Sequence, residues 1–234
     1  MGTTEQDYDY ATADFNAVYT GGDLLPGASI KGVPWDIGEA QPDVVAMEAE
    51  GRFSGEVLDA GCGPGDNAAF LARRGYRVTA VDAASAAVAE AEQRARGLGI
   101  EFAVADATRL DGYTGRFDSV LDSALFHTLG AQDRRRYAAA LHRAARPGAR
   151  LSMLCFADVP GGMPAPLAVA EDEVSAVLAE AGWRVTRLQR SVYAGVPGPV
   201  REFFEKTGRS PELDERGRTR LPVWKVYADR AEAA

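Results

Sequence analysis

The chain has 234 residues, of which 46% are hydrophobic, and a formal net charge of −8. That length and composition suffice for one sizeable core, while the acidic balance argues against a nucleic-acid partner, which is held by Lys and Arg neutralising phosphates. The apolar runs are too short to cross a bilayer, residues 1–6 lack the basic and apolar regions of a secretory leader, and Gln6 replaces the Ser or Thr of a myristoylation site. With only two cysteines, Cys62 in a glycine turn and Cys155 in an apolar strand, no disulfide is expected and the cytoplasm is the expected compartment.

In chain order, residues 44–49 read as the end of an entry helix. A strand is predicted at 56–59, followed by a helix over 66–74 that Gly75 ends. A second strand over 77–81, an Ala/Glu-rich helix over 85–96 and a third strand over 100–104 follow, then a fourth strand over 117–121. Residues 137–145 carry a helical pattern, 146–150 (RPGAR) read as the turn launching a fifth strand over 149–156, and 170–181 is a helix closed by Gly182. Such alternation with short turns implies a parallel sheet covered on both faces, an α/β Rossmann-like doubly wound architecture. Residues 183–193 and 222–227 read as strands, and the Gly-, Pro- and charge-rich stretch between them as a surface excursion, partly helical over 200–206. The whole, 1–234, is expected to be one domain: a cap segment over 1–50, a core over 51–194, and the excursion with a last strand over 195–234.

Residues 57–66, VLDAGCGPGD, run an apolar strand into a glycine turn and on into a helix. Glycines at 61, 63 and 65 let backbone N–H groups approach a ligand that a Cβ would hold off, and the helix N-terminus lies at the same place. The spacing is G-x-G-x-G, whereas a dinucleotide fingerprint is G-x-G-x-x-G, and Asp59 stands just before the first glycine. A carboxylate there suits a ligand carrying positive charge.

These residues resemble the class I S-adenosylmethionine-dependent methyltransferases, and the resemblance extends over about residues 33–195. Asp59, Gly61, Cys62, Gly63 and Gly65 match the first family motif. Asp82, ending VTAVD and followed by Ala83, matches the acid that holds the ribose hydroxyls; Asp106 and Ala107, in VADA, match the adenine contact. FDSVLD over 117–122, with Ser123, matches the fourth motif, and Asp122 and Ser123 are expected to face the methionine end of the cofactor, with helix capping as the alternative for Asp122. The stretch GVPWDIG with Gln41-Pro42 resembles the P-W-D-x-G segment of thiopurine, thiol and halide methyltransferases, which gives Trp35 the role of covering the cofactor. DSALFH over 122–127 and MPAPLAV over 163–169 look closer to bacterial enzymes acting on phenolic or heterocyclic compounds, and the same likeness predicts a seven-stranded sheet closed by an antiparallel hairpin. Tyr8, Tyr10, Phe15 and Tyr19 form either an aromatic flap over the substrate or a helix docking by its apolar face.

The resemblance implies transfer of the methyl of S-adenosylmethionine to a small-molecule O, N or S nucleophile, an aromatic hydroxyl or heterocycle foremost, leaving S-adenosylhomocysteine. The cofactor is already electrophilic, so alignment and water exclusion carry most of the task. His127, just past the fourth strand, is the candidate general base for a weakly acidic phenol, or else a histidine that packs against the cofactor or caps the next helix. His142 is expected to face solvent, and Arg134-Arg135-Arg136 to form a solvated helix face. No residues have metal-ligand spacing, and no G-x-S-x-G elbow occurs. An NAD(P)-dependent oxidoreductase and a non-catalytic cofactor-binding protein stay open as alternatives, as do monomer and homodimer.

Overall fold

The computed structural model describes residues 13–24, 32–165, 167–206 and 208–231. Five strands run parallel, β1 (Glu56–Ala60), β2 (Arg77–Asp82), β3 (Glu101–Val104), β4 (Phe117–Ser123) and β5 (Ala145–Phe156). Beyond them, β6 (Trp183–Gly195) forms the far edge and β7 (Thr219–Arg230) fits antiparallel between β5 and β6, giving the order β3-β2-β1-β4-β5-β7-β6. The chain therefore builds outward in opposite directions from β1 and β4. In an open α/β sheet the crevice at the carboxyl ends of such a strand pair is where a ligand binds.

Alternation of side chains along the central strands divides the core. Leu58, Val120, Leu151 and Met153 pack on one face with α5 (Ala131–Ala144) and α6 (Glu171–Glu180); Val57, Leu121, Leu154 and Val223 pack on the other with α2 (Pro42–Ala49), α3 (Asp66–Arg73) and α7 (Pro197–Lys206). Both faces being covered, these strands read as continuous apolar runs, as the sequence predicts. Helix α5 begins earlier than expected, because the polar run 132–136 hides its onset. The expected turn over 146–150 is instead a bulge inside β5: Ala145 pairs with Phe117 and Arg150 with Ser119, and Gly148 takes φ +77° in between.

The segment before β1 is fastened at several points. Helix α1 (Phe15–Tyr19) is capped by Asp14, whose Oδ1 accepts from the Ala17 N–H at 2.9 Å. Asn16 in turn caps α4 (Ser85–Arg94), accepting from the Ala86 N–H at 3.0 Å where α4's own N-cap, Ala84, has no side-chain acceptor. The Arg94 guanidinium holds Asp36 at 2.6 Å and Asp66 at 3.2 Å. Gln41 pairs both ends of its amide with the Ala194 backbone, and the Pro34 carbonyl accepts from the Val196 N–H at 2.7 Å. The Asp of the P-W-D segment is thus a tether for the strap that carries Trp35. Tyr8 and Tyr10 lie outside the described residues.

Candidate functional site

The glycine turn leaves β1 with Gly61, Gly63 and Gly65 at φ of +74°, +53° and +85°. Asp82, at the end of β2, clasps it: one carboxylate oxygen accepts from the Gly63 N–H and the other from the Ala84 N–H, both at 2.9 Å. Gly61 and Gly63 line a chamber, and a Cβ on Gly63 would meet Tyr19 Oη at 3.1 Å and Trp35 Nε1 at 3.4 Å. Gly65 serves helix packing, since a Cβ there would stand 2.8 Å from the Ala91 Cβ of α4. Gly65→Ala should therefore destabilise the fold by about 1–3 kcal/mol, through a strained φ and overpacking. A melting temperature equal to that of the parent chain would remove this assignment.

The chamber, of about 300 Å³, opens at the carboxyl ends of β1, β2 and β4. Of the residues expected at the site, Trp35, Gly61, Gly63, Asp82, Ala83, Asp106, Ala107, Ser123 and His127 line it. Asp59, Cys62 and Asp122 do not. Asp59 lies beneath the turn, fully buried, and neither oxygen has a well-formed hydrogen bond among the described residues, the Ala68 N–H being the one compensating backbone group. Burial, then the nearby Asp122 and Asp82, push its carboxyl up to about 7. Burial likewise raises the Cys62 thiol and makes it unreactive.

For Asp122 the structure favours the capping alternative over the cofactor-facing one. Its oxygens accept from the Leu125 N–H at 2.8 Å, the Phe126 N–H at 3.1 Å and the Tyr137 hydroxyl at 3.0 Å. It caps the 3₁₀ turn Phe126–Thr128 from behind and does not face the chamber. The chain reaches that turn through Ala124, a chamber residue in the left-handed region at φ +81° whose N–H goes to the Leu154 carbonyl at 2.9 Å. Non-glycine strain of this kind persists where surrounding contacts over-determine it.

On the other side of the chamber, Trp35 donates Nε1–H to Tyr19 Oη at 2.9 Å and packs against Phe15, so α1 and the strap form an aromatic roof. Sequence reasoning missed the far wall. Val200, Phe203 and Phe204 of α7 line it, so the expected surface excursion dips into the site. Their i, i+3, i+4 spacing was the available signal.

His127 stacks on Phe156 with ring centroids 4.0 Å apart, and its Nδ1 accepts from the Phe156 N–H at 3.3 Å. Burial, then the positive Arg134, push its pKa down to about 3. A ring so weakly basic, with Nδ1 already engaged, does not suit the general-base role expected of it. Arg134 is also no part of a solvated face: it is 6% exposed and donates to the Phe126 and His127 carbonyls. His142 is half-buried edge-on against Trp183, not free in solvent.

The wall of the chamber contains two carboxylates, Asp82 and Asp106, and no Lys or Arg among the described residues, while Asp59 and Asp122 add acid behind it. A pyrophosphate would find no cation here. A ligand carrying a sulfonium and an ammonium fits, and the orphaned Asp59 carboxylate is the buried counter-charge such a ligand would relieve. The Gly63 cradle, which a Cβ would fill, fits close backbone approach.

Residues 57–148 match the family described as "Methyltransferase domain". A 2-heptyl-1-hydroxyquinolin-4(1H)-one methyltransferase from Mycobacteroides abscessus is 39% identical over 152 residues, 63% of this chain and 67% of that protein. The chain belongs to the S-adenosylmethionine-dependent methyltransferases. This methyltransferase is also similar to a solved structure concerned with the conversion of a disulfide bond into a thioacetal group during echinomycin biosynthesis, at 35% identity and a TM-score of 0.78, covering 94% of this chain and 92% of that one. It shares its fold with the Burkholderia thailandensis 1,6-didemethyltoxoflavin-N1-methyltransferase, solved with 1,6-didemethyltoxoflavin and S-adenosylhomocysteine, at 24% identity and a TM-score of 0.58 over 82% of this chain and 77% of that one. The methyltransferase family replaces the oxidoreductase alternative, and S-adenosylmethionine is the cofactor. Among the described residues, no helix is long and apolar enough to cross a membrane.

Proposed function

We propose that this methyltransferase acts on a small, flat, largely apolar aromatic acceptor, at a hydroxyl or a ring heteroatom. The observation that carries this reading is the wall beyond the cofactor residues: Phe156, Met163, Tyr193, Phe203 and Phe204 offer aromatic and thioether surfaces, with Ser123, Tyr193, His127 and Thr128 as its few polar groups. Apolar walls with a few placed polar atoms suit such a ligand. The quinolone acceptor of the mycobacterial relative supports the heterocyclic part of the reading.

S-adenosylmethionine supplies a methyl group on a positively charged sulfur. The protein's own part is to hold and to exclude. Asp82 and the glycine turn take the ribose side and the methionine end, Asp59 and Asp122 supply negative potential from behind, and Asp106 with Ala107 address adenine. Asp106 already accepts from the Thr108 N–H at 2.9 Å, which fixes its carboxylate at the rim. The roof of Tyr19 and Trp35 covers the turn and keeps water from the line of attack.

A second reading, a sulfur acceptor, is favoured by the likeness running over 94% of this chain to the structure concerned with disulfide conversion. A disulfide or thioether sulfur attacks without losing a proton, which suits a chamber lacking a strong base. Cytoplasmic placement rests on the two buried free thiols, and independence from nucleic acid on the −8 charge. The deciding experiment is transfer of a labelled methyl group to hydroxyquinolones, acidic phenols, N-heterocycles, thiols and cyclic disulfides. Turnover on the ring compounds is expected. Turnover confined to the sulfur compounds would replace the first reading with the second, and none on any would remove both.

A further inference from the structure

The acceptor end of the chamber contains one nitrogen whose state the surrounding backbone dictates. The Phe156 N–H points at His127 Nδ1 at 3.3 Å, so that nitrogen must present its lone pair. The proton of the uncharged ring then sits on Nε2, on a side chain that lines the chamber and has no hydrogen-bond partner for Nε2 among the described residues. Stacking on Phe156 at 4.0 Å and 32° holds the ring plane.

The loop carrying this ring is held by Arg134 of α5. Its Nε donates to the Phe126 carbonyl at 3.3 Å and one terminal nitrogen to the His127 carbonyl at 3.2 Å, while the other pairs with Glu173 of α6 at 2.8 Å. A forked guanidinium on two successive carbonyls fixes the turn in a way a lysine does not. Arg134 on α5 is the charged group that acts on the imidazole; Asp82, Asp106 and Tyr193 line the same chamber, and Asp122 and Glu173 act with Arg134 on the neighbouring Cys155 thiol of β5.

We infer that His127 is a specificity-determining hydrogen-bond donor, presenting Nε2–H to a carbonyl or oxyanion of the methyl acceptor, and that Arg134 is the positioning residue that keeps it in that state. The inference rests on the proposed aromatic acceptor and narrows it. With the Nδ1 of His127 engaged and the ring not acting as a base, the acceptor reaches the site already ionised: an acidic phenol, an N-hydroxy heterocycle or a ring nitrogen acid beside a carbonyl. Its proton is lost to solvent before binding, and the donor holds the resulting oxyanion or its neighbouring carbonyl.

The chain has two histidines, so imidazole nitrogen spectra of the untagged, cofactor-free protein resolve both, with His142→Gln assigning them. His127 is expected as the Nε2–H form, unchanged from pH 5.5 to 8.5. Titration in that range, or a proton on Nδ1, overturns the inference whatever the substrate proves to be. Arg134→Met should let the His127 signals average between tautomers while S-adenosylmethionine still binds; unchanged signals would cancel the role of Arg134. With a ring-oxygen acceptor, His127→Ala should lower kcat/KM by roughly tenfold or more. His127→Gln, which keeps a donor, should recover most of it, and cofactor affinity should hold. Full activity in His127→Phe, or rates tracking His127 deprotonation, would overturn the donor role and leave the proposed acceptor class standing.

Discussion

Asp82→Ala should weaken S-adenosylmethionine binding by at least about 100-fold, the largest loss expected of any single side chain at the site. Two backbone N–H groups, of Gly63 and Ala84, end on its carboxylate at 2.9 Å. Hydrogen bonds to a charged acceptor are worth roughly 1.5–3 kcal/mol each, and every 1.4 kcal/mol is tenfold in affinity. Alanine releases the turn that Gly63 must hold at φ +53° and removes the acceptor proposed for the ribose hydroxyls. Asp82→Asn keeps an acceptor for one N–H but turns an NH₂ toward the other, so its affinity should fall between parent and alanine. Titration calorimetry with S-adenosylmethionine and S-adenosylhomocysteine, beside thermal melting, separates ligand loss from unfolding. Parent-like affinity in Asp82→Ala would take Asp82 out of the site.

Why Asp82 was legible and Arg134 was not follows from how each acts. Asp82 works through local geometry, a strand end beside a glycine turn, and spacing along the chain records that. The doubly wound sheet was legible for the same reason: alternating apolar runs and breakers are local. Arg134 acts across space, from α5 to the carbonyls of a 3₁₀ turn and to Glu173 on α6, and in sequence it is one of three adjacent arginines. Asp122 fits the motif pattern but is consumed by the Leu125 and Phe126 N–H groups and the Tyr137 hydroxyl. Motif position does not tell a capping carboxylate from one that faces a ligand. The far wall was hidden because Phe203 and Phe204 follow a Pro- and Gly-rich stretch, whose breakers outweigh a short helical spacing.

Asp59→Asn should raise the stability of the cofactor-free protein at pH 8 and lower its affinity for S-adenosylmethionine, with S-adenosylhomocysteine, which keeps the ammonium but not the sulfonium, less affected. Burial, with Asp122 and Asp82 nearby, lifts the Asp59 carboxyl from 3.8 to about 7. A raised acid binds its proton more tightly folded than unfolded. The stability this confers is complete below about pH 4 and is lost as pH climbs through 7. Asp122, also raised to about 7 by burial, acts in the same direction. His127 opposes them: depressed from 6.5 to about 3, it favours the folded state more as pH rises between those values. At pH 8 Asp59 is thus a buried, ionised and poorly solvated group, and an uncharged amide there costs less. A melting temperature higher by about 2 °C or more is expected. The cofactor reverses the sign, because its sulfonium and ammonium gain from that same negative charge. S-adenosylhomocysteine lacks the sulfonium, so the substitution should narrow the preference for substrate over product by about tenfold. In the parent chain that preference should itself grow as pH rises from 6 to 8. A preference unchanged by pH and by Asp59→Asn would show that this carboxylate shapes the turn without reading the charge of the cofactor.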